Sequence, residues 1–191
     1  IYDSTLRRAP DGSATLALAG MAAPRIEPEL VLGIRSAPPL ANPSPEPLLR
    51  SVAWVGVGFE VVDCHFADWR FTLADAVADF GLHAALVVGA PLTIDAGDEA
   101  QLIDALARCT LTLTLNGEPI ASGVGANALG SPLLALGHLV RTLAYQAAEP
   151  LAAGEVVTTG TLTSAFPVAP GQTWSASVTG LDLAPLTLVL E

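Results

Sequence analysis

The chain has 191 residues, 51% hydrophobic and 14% charged, so it can bury a sizeable core and does not have the composition of a disordered chain. It carries 19 acidic residues against 8 Arg and no Lys, and the net charge of −11 argues against binding to nucleic acid or to anionic membranes. No stretch approaches the ~18 uninterrupted apolar residues of a membrane span, so we expect no membrane partner.

The sequence predicts one domain over residues 1–191, because no linker or repeat divides it. Cys64 and Cys109 are isolated, which favours a reduced cytoplasmic setting, although a disulfide between them would also be compatible with the sequence. Since Ile1 comes first and no signal-peptide pattern follows, we expect the native N-terminal segment to be missing. The positive mean hydropathy predicts apolar surface covered by sister subunits in a homo-oligomer.

Short apolar runs between turn residues predict a β-rich domain with a few helices. In the first half of the chain we predict strands over residues 29–34, 51–63 and 84–88, a proline-rich loop over residues 38–47 and a helix over residues 73–82. The helix has Leu73, Val77 and Phe80 at the spacing of one helical face.

The second half contains the strongest local signals. Residues 110–122 predict a hairpin, because Asn116-Gly117 supplies the two positive-φ positions of a type I′ turn. Residues 131–146 predict a helix with Ser131 as its cap and Pro132 at its first position. Strands are predicted around residue 156 and over residues 174–178 and 186–190.

Glu27 and Glu29 are two residues apart, so on a strand both carboxylates lie on one face, with Cα atoms roughly 7 Å apart. Side chains of that length can converge on one cation. A solvated edge strand is the more frequent explanation for such a pair. Residues 30–34, however, carry large aliphatic side chains on both faces, which is typical of a strand buried on both sides.

Glu60 lies in a similar apolar segment. A buried, unpaired carboxylate is costly and must be protonated, be paired or bind a metal, and cationic partners are scarce in this chain. A divalent cation held by Glu27, Glu29 and Glu60 would satisfy all three groups. Ligation by oxygen alone indicates Mg²⁺ or Mn²⁺ rather than Zn²⁺. Spacing by itself leaves this site and the solvated alternative equally open.

Four segments occur in the order found in one enzyme family: PRIEPELVLGI (24–34), GFEVVDCHFADWRF (58–71), NGEPIASGVGANALGSPLLAL (116–136) and LAAGEVVTTGTLTSAFPVAPGQTW (151–174). Together they resemble the 2-keto-4-pentenoate hydratase branch of the fumarylacetoacetate hydrolase superfamily over nearly the whole chain. The most specific elements are the ExE pair with a third Glu about thirty residues later, and the late GEVVTTGTLT segment.

The resemblance implies an α+β, β-rich fold, a mixed β-sandwich or roll with a few short helices, in a cytoplasmic homo-oligomer. It implies that Glu27, Glu29 and Glu60 hold Mg²⁺ or Mn²⁺. The three carboxylates match the glutamates that bind the metal in that family.

The resemblance also implies where the substrate binds. In the family a TGT-type turn lies beside the metal and helps to bind the 2-oxo acid, and the matching turn here is residues 159–161. Thr161 and, next to it, Thr163 are therefore the predicted substrate-binding residues, because Thr hydroxyls and amides can hold a carboxylate. Without the resemblance, a plain strand-to-loop transition would explain this segment.

His83 is the candidate acid or base near the metal, with a packed structural histidine as the alternative. We expect His65 to be structural and His138 to lie in the core or an interface. The sequence departs from the family in two ways. Family hydratases carry an early GYK-type segment whose Lys serves catalysis, whereas this chain has no Lys, and residues 80–83 replace a polar Asn-Ser-type stretch.

The resemblance implies a metal-dependent lyase, a hydratase of a small 2-oxo or 2-hydroxydienoate acid from aromatic catabolism. One alternative keeps the site and changes the reaction to decarboxylation of a 2-oxo acid or hydrolysis of a C–C bond in an acylpyruvate. Another is a non-catalytic partner subunit that stabilises a decarboxylase. The sequence is compatible with more than one side chain on the substrate.

Overall fold

The structure is a computed structural model that describes residues 1–40, 43–95, 97 and 99–191. Its strands are β1 (Leu6–Arg8), β2 (Ser13–Leu16), β3 (Pro24–Ile34), β4 (Val52–Asp63), β5 (His83–Val88), β6 (Leu92–Thr93), β7 (Thr110–Leu115), β8 (Glu118–Val124), β9 (Val156–Thr158), β10 (Phe166–Pro167), β11 (Thr173–Thr179) and β12 (Leu186–Leu190). Its helices are α1 (Pro45–Arg50), α2 (Leu73–Ala78), α3 (Glu99–Arg108) and α4 (Pro132–Tyr145), and 3₁₀ turns cover Ala67–Trp69, Phe80–Leu82 and Gly125–Asn127. Across the described part of the chain, none of these helices has the length and apolar character needed to cross a membrane.

The strands form two mixed sheets. In the first sheet the strand order is β1-β5-β4-β3-β10, with β6 added beside β4 and β9 beside β3. In the second sheet the order is β2-β12-β11-β7-β8. The pairs β1–β5 and β2–β12 are parallel, and the other pairs are antiparallel. This two-sheet architecture with a few short helices confirms the predicted α+β, β-rich fold.

The two sheets and the helices share one apolar core. The first sheet contributes the inward side chains of β3 and β4, such as Leu30 and Phe59, and the second sheet contributes Trp174. The rings of Phe166 and Trp174 lie 6.2 Å apart between centroids. Burial of each large apolar side chain stabilises the fold by ~1.5–3 kcal/mol, so this core fixes the positions of β3 and β4.

The opposite face of the first sheet holds the functional residues. Because side chains alternate along a strand, Glu27, Glu29 and Val31 of β3 point away from the second sheet. Val31 packs there with Leu86 and Val88 in a small separate apolar cluster. The carboxylates therefore lie at one end of an otherwise apolar sheet face.

Most of the predicted strands are present. The strands predicted over 29–34, 51–63 and 84–88 correspond to β3, β4 and β5, and β3 begins five residues earlier, at Pro24. The three late strands are β9, β11 and β12. The hairpin is confirmed as β7 and β8, with Asn116 at φ 51° and Gly117 at φ 88°. The first half also contains short strands that were not predicted.

The helix predictions need two corrections and one addition. The helix predicted over 73–82 ends at Ala78, because Phe80, Gly81 and Leu82 all adopt positive φ values. Its apolar face does not join the core, since Leu73 is 82% exposed and Val77 and Phe80 are also exposed. The loop predicted over 38–47 gives way to α1 at Pro45, and residues 41 and 42 lie outside the described part. The helix α3 was not predicted.

The helix α4 is confirmed over Pro132–Tyr145. The Ser131 hydroxyl accepts hydrogen bonds from the backbone N–H groups of Leu133 and Leu134, which satisfies two of the donors at the start of the helix. The residues Leu133, Leu136 and Val140 of its stripe are buried against the sandwich.

Candidate metal centre

Three glutamates meet on the outer face of the first sheet. Glu27 and Glu29 project from the same side of β3, and Glu60 of β4 lies directly opposite Glu27 in the antiparallel register. One carboxylate oxygen from each residue lies within 4.8 Å of the others. Two oxygens bound to one Mg²⁺ or Ca²⁺ ion at 2.0–2.6 Å are separated by at most about 4–5 Å, so this spacing fits a single divalent cation.

The carboxylates are removed from solvent. Glu29 is 1% exposed and Glu60 is 8% exposed, while Glu27 is half-buried at the open side of the cluster. Arg25 supplies an opposing positive charge, and its guanidinium stacks 3.9 Å from the ring centroid of Trp69. One stacked cation does not neutralise three carboxylates, so the cluster has an excess of negative charge.

That excess is visible in the pKa values. Burial, followed by repulsion from Glu60, raises the pKa of Glu27 from 4.5 to about 7, while Arg25 opposes the shift. Burial and Glu60 raise the pKa of Glu29 well above its ordinary value, and the hydrogen bond from the Gly160 amide opposes it. Both carboxylates are thus poised to exchange a proton for a cation, because metal ligation requires the ionised form.

The loop after β9 closes one side of the cluster. The Thr159 hydroxyl donates to the Leu30 carbonyl oxygen at 2.7 Å, which ties the loop to β3. The Gly160 N–H donates to Glu29 Oε2 at 2.8 Å. Gly160 has φ 95°, a conformation in which glycine is free of the strain that a side chain would bring. The TGT turn therefore reaches the candidate metal centre through a backbone amide.

The predicted substrate-binding residues lie further along this loop. The Thr161 hydroxyl accepts from the Thr163 N–H at 3.3 Å, and the Thr163 hydroxyl donates to the Ser164 carbonyl oxygen at 2.9 Å. Both residues line a cavity of about 570 Å³ that also contains Ser122 and Asn127. None of the three glutamates lines this cavity, so the role of Thr161 and Thr163 stays a prediction.

His83 is brought directly to the cluster. Its Nδ1 lies 2.6 Å from Glu60 Oε1, and its Nε2 lies 2.8 Å from Thr5 Oγ1. The left-handed turn over Phe80–Leu82 precedes it and aims the imidazole at β4. Glu60 and His83 open onto a cavity of about 490 Å³, whose remaining lining residues are Ile1, Tyr2, Phe80, Gly81 and Thr158.

The other two histidines contact residues outside the cluster of three glutamates. His65 is exposed and its Nδ1 lies 2.8 Å from Asp79 Oδ2. His138 was expected in the core or an interface, and its side chain is exposed on α4, with Nδ1 3.0 Å from an Arg141 nitrogen. It therefore does not lie in the core of this chain, because a polar side chain beside an apolar helical stripe sits at the edge of that stripe, and its place in an interface stays a prediction.

Sequence reasoning missed Thr5, Arg25, Thr158 and Asp63. Arg25 shares the face of Glu27 by the same two-residue spacing, so that signal was present in the sequence. Thr158 reaches the cavity, and Thr5 reaches His83, only through strand pairing between distant segments. Asp63 accepts hydrogen bonds from the Ala22 and Ala23 amides at 2.7–3.0 Å and thereby holds the chain that enters β3.

Comparison with known proteins gives a consistent family. Residues 7–186 match the family model described as fumarylacetoacetate (FAA) hydrolase C-terminal. The chain is 32% identical over 172 residues to a 2-hydroxyhexa-2,4-dienoate hydratase of Comamonas testosteroni, covering 90% of this chain and 62% of that protein. It is 33% identical over 153 residues to a 4-oxalocrotonate decarboxylase of Pseudomonas sp, covering 78% of this chain and 54% of that protein. The chain thus spans about 60% of the length of the hydratases it matches.

Solved structures share the fold. The 4-oxalocrotonate decarboxylase of Pseudomonas putida G7, complexed with magnesium and adipate, superimposes with a TM-score of 0.83 at 23% identity, covering 99% of this chain and 67% of that one. The fumarylpyruvate hydrolase of Pseudomonas aeruginosa, in complex with Mn²⁺ and pyruvate, gives 0.68 at 17% identity, covering 97% and 74%. With the family model matched over most of its length, the chain belongs to the fumarylacetoacetate hydrolase family.

Proposed function

We propose that this chain is the core of a divalent-metal-dependent hydratase, a lyase acting on a small 2-oxo or 2-hydroxydienoate acid of aromatic catabolism. One observation carries the proposal: three largely buried carboxylates converge within 4.8 Å. The similarity to the Comamonas testosteroni hydratase supports the reaction class.

Glu27, Glu29 and Glu60 would hold Mg²⁺ or Mn²⁺. The all-oxygen donor set fits these cations, and the raised pKa of Glu27 and Glu29 reflects the negative charge that a cation would neutralise. When bound, the ion supplies Lewis-acid stabilisation for the carboxylate and carbonyl oxygens of a 2-oxo acid. The magnesium and manganese complexes of the two structural neighbours agree with this choice.

Residues around the three glutamates orient the carboxylates and line the space for the 2-oxo acid. The Gly160 amide fixes one oxygen of Glu29, and His83 fixes one oxygen of Glu60. The cavity of about 490 Å³ beside Glu60 is large enough for a small organic acid, and the rings of Tyr2 and Phe80 pack edge to face at its lining. Thr161 and Thr163 are proposed to bind the far end of the acid from the neighbouring loop.

His83 is the candidate acid or base for the proton transfers of the reaction. As an acid or base, His83 would have to release the hydrogen bond to Thr5 or the one to Glu60, because both ring nitrogens are engaged. This role therefore stays a prediction. The chain contains no Lys, the residue that serves catalysis in the GYK segment of related hydratases, so we expect slow turnover by these 191 residues.

Calorimetry with oxalate, with and without Mg²⁺, tests the binding half of this proposal. We expect oxalate to bind only when Mg²⁺ is present, and binding of equal strength in EDTA would refute the metal site. Consumption of 2-hydroxypenta-2,4-dienoate, followed by its ultraviolet absorbance, tests the reaction.

Decarboxylation is the second candidate reaction, favoured by the 33% identity to a 4-oxalocrotonate decarboxylase. An acylpyruvate C–C hydrolase would use the same site, and a non-catalytic partner subunit of a decarboxylase is a further alternative from another class. Release of CO₂ from 4-oxalocrotonate, set against dienoate consumption under the same conditions, discriminates these reactions. Binding of oxalate without any turnover, when the chain is mixed with a decarboxylase whose activity then rises, would identify the partner subunit.

We also propose that the protein is a cytoplasmic homo-oligomer. The exposed apolar side chains of Leu73, Val77 and Phe80 support assembly, because contiguous apolar surface is usually covered in oligomers. Cys64 and Cys109 are free and buried, as expected in a reducing compartment. Light scattering coupled to size-exclusion chromatography should give a mass of at least two chains, and a clean monomer at micromolar concentration would contradict the assembly.

A further inference from the structure

The contact between Thr5 and His83 has no role in the function proposed above, although His83 also contacts Glu60, one of the metal-binding candidates. The His83 side chain is 7% exposed and that of Glu60 is 11% exposed, so water competes weakly for their hydrogen bond. Thr5 belongs to the turn before β1, and His83 begins β5, the strand that pairs with β1. The contact thus joins three segments that are far apart in the sequence.

The number of hydrogens on the imidazole determines which atom donates in the contacts of His83 with Glu60 and Thr5. A carboxylate that ligates a metal is ionised and can only accept, so the hydrogen between Glu60 and His83 must sit on Nδ1. This holds whether the imidazole is neutral or positively charged. If the ring is neutral, Nε2 carries no hydrogen and must accept one from the Thr5 hydroxyl.

The Thr5 hydroxyl has two acceptors within reach, and His83 Nε2 at 2.8 Å is the nearer one. Its oxygen lies 3.0 Å from the Tyr2 carbonyl oxygen, which is the competing acceptor. That carbonyl already accepts the backbone N–H groups of Thr5 at 3.0 Å and Leu6 at 3.2 Å. Since a carbonyl oxygen has two lone pairs, its accepting capacity is filled, and the hydroxyl hydrogen can turn to His83.

The backbone before His83 supports a dedicated position. Phe80 and Leu82 have φ values of 53° and 63° on either side of Gly81, and non-glycine residues in this region carry backbone strain. The strained turn places the imidazole over β4 rather than in solvent. Strain of this kind persists where surrounding contacts hold it, and it is concentrated at functional sites.

We propose that His83, held in its Nδ1–H form by the Thr5 hydroxyl, is a positioning residue that orients the Glu60 carboxylate as a metal ligand. The bond to Oε1 fixes the rotation of the carboxylate and leaves its other oxygen available to a cation. Partners behind a ligand commonly change metal affinity by about 10–100-fold when removed. This inference rests on the proposed metal site and adds the residues that organise it.

Two isosteric variants of His83 separate the positioning role from simple packing. An Asn amide nitrogen occupies the place of Nδ1, whereas a Gln amide nitrogen occupies the place of Nε2. We expect His83→Asn to keep Mg²⁺ affinity within about threefold of the wild type, and His83→Gln to lose about 10–100-fold. The exposed His138 on α4 supplies the matched control, and His138→Gln should bind Mg²⁺ as the wild type does.

Thr5 is tested by the same logic. Thr5→Ser keeps the hydroxyl and should keep both the affinity and the Nδ1–H tautomer, while Thr5→Val removes the hydroxyl and should lower the affinity several-fold. The tautomer is read from two-bond ¹H–¹⁵N correlations of the His83 ring in metal-free and Mg²⁺-loaded protein. This spectrum reports on the hydrogen bonds independently of activity.

The outcomes distinguish the inference from the function on which it rests. If the wild type does not bind Mg²⁺ or Mn²⁺ by calorimetry, the metal site itself fails. If the wild type binds and the Asn and Gln variants bind equally well, the metal site stands and the positioning role of His83 is overturned. An Nε2–H tautomer in the Mg²⁺-loaded wild type, with a neutral ring, would overturn it as well.

Discussion

Buried carboxylates occur at two places along the same pair of strands, and their surroundings differ. Asp63, at the end of β4, is 5% exposed and accepts three hydrogen-bond contacts from the Ala22 and Ala23 amides. The glutamate cluster lies three residues earlier on β4, where Glu60 faces Glu27. In the described part of the chain, the backbone amides of Gly160 and Thr159 act on Glu29, and the His83 ring contacts Glu60.

The comparison shows that burial of an acid does not by itself indicate a ligand site. The backbone satisfies the oxygens of Asp63, so that side chain has a complete structural explanation. The glutamates are buried and also repel one another, and burial followed by repulsion from Glu60 raises the pKa of Glu27 and Glu29. The unbalanced negative charge distinguishes the glutamate cluster from Asp63.

Removal of one glutamate should have the largest effect on metal binding. Glu60→Gln keeps the shape and removes a charged ligand, so we expect Mg²⁺ affinity to fall by at least about 100-fold, beyond the range for residues behind a ligand. Because one repelling charge is lost, the metal-free variant should melt no lower than the wild type. Calorimetry and thermal unfolding in EDTA check both statements.

The opposite result is expected at Asp63. Asp63→Ala leaves two buried amides without their acceptor, and an unsatisfied buried donor costs roughly 1–3 kcal/mol. We expect the free energy of unfolding to fall by roughly 2 kcal/mol, while Mg²⁺ affinity changes several-fold at most. Denaturant unfolding measures the stability and calorimetry measures the affinity. A loss of metal affinity as large as that of Glu60→Gln would contradict a purely structural role for Asp63.

The sequence indicated a large part of this arrangement, and it did so through local patterns. The ExE spacing placed Glu27 and Glu29 on one face, and apolar residues on both sides predicted β3 and β4 as buried strands. The register that sets Glu60 opposite Glu27 is a long-range pairing, and no local pattern determines it. Residue chemistry offered a shared cation site for the three glutamates as one of two open alternatives, and the family resemblance favoured that site.

The contact between His83 and Thr5 lay beyond local patterns. It depends on a left-handed turn at Phe80 and Leu82, where the residue types favour ordinary helix or strand. The exposed apolar face of α2 was missed for a related reason: helical spacing predicts an amphipathic helix and assumes that its apolar side meets the core. The helix α3 was missed although Leu102, Ile103 and Leu106 give it a helical apolar face.

Stability should depend on pH in a way specific to the glutamates. A carboxyl whose pKa is higher in the folded chain stabilises the fold fully below its unfolded value of 4.5, and this contribution is lost as pH rises through the folded value of about 7. Without metal, the free energy of unfolding should therefore fall more steeply between pH 4.5 and 7 for the wild type than for Glu27→Gln. Denaturant titrations in EDTA at a series of pH values measure the difference.

Excess Mg²⁺ should reverse that trend, because the cation binds the ionised carboxylates and stabilises the folded chain. The stabilisation by Mg²⁺ should grow between pH 5 and 8. Identical pH profiles for the wild type and Glu27→Gln would show that Glu27 titrates as an ordinary surface acid.

The smallest effect is expected at Gly160. Nothing lies within 4 Å of the position that a Cβ would occupy, so the cost of Gly160→Ala arises from φ 95° alone and amounts to about 1–2 kcal/mol. Rotation of the amide away from Glu29 should weaken Mg²⁺ binding a few-fold. Gly154, with φ 91° and equally open space, is the matched control, and Gly154→Ala should cost similar stability without any change in affinity.

The central claim is that Glu27, Glu29 and Glu60 form one cation site, and anomalous scattering from crystals grown with Mn²⁺ tests it most directly. The account predicts a single strong Mn²⁺ peak between these three carboxylates in the wild type, within bonding distance of an oxygen from each, and no peak there in Glu60→Gln. An empty cluster at saturating Mn²⁺, or a peak bound to other residues while the three glutamates stay uncoordinated, would contradict it.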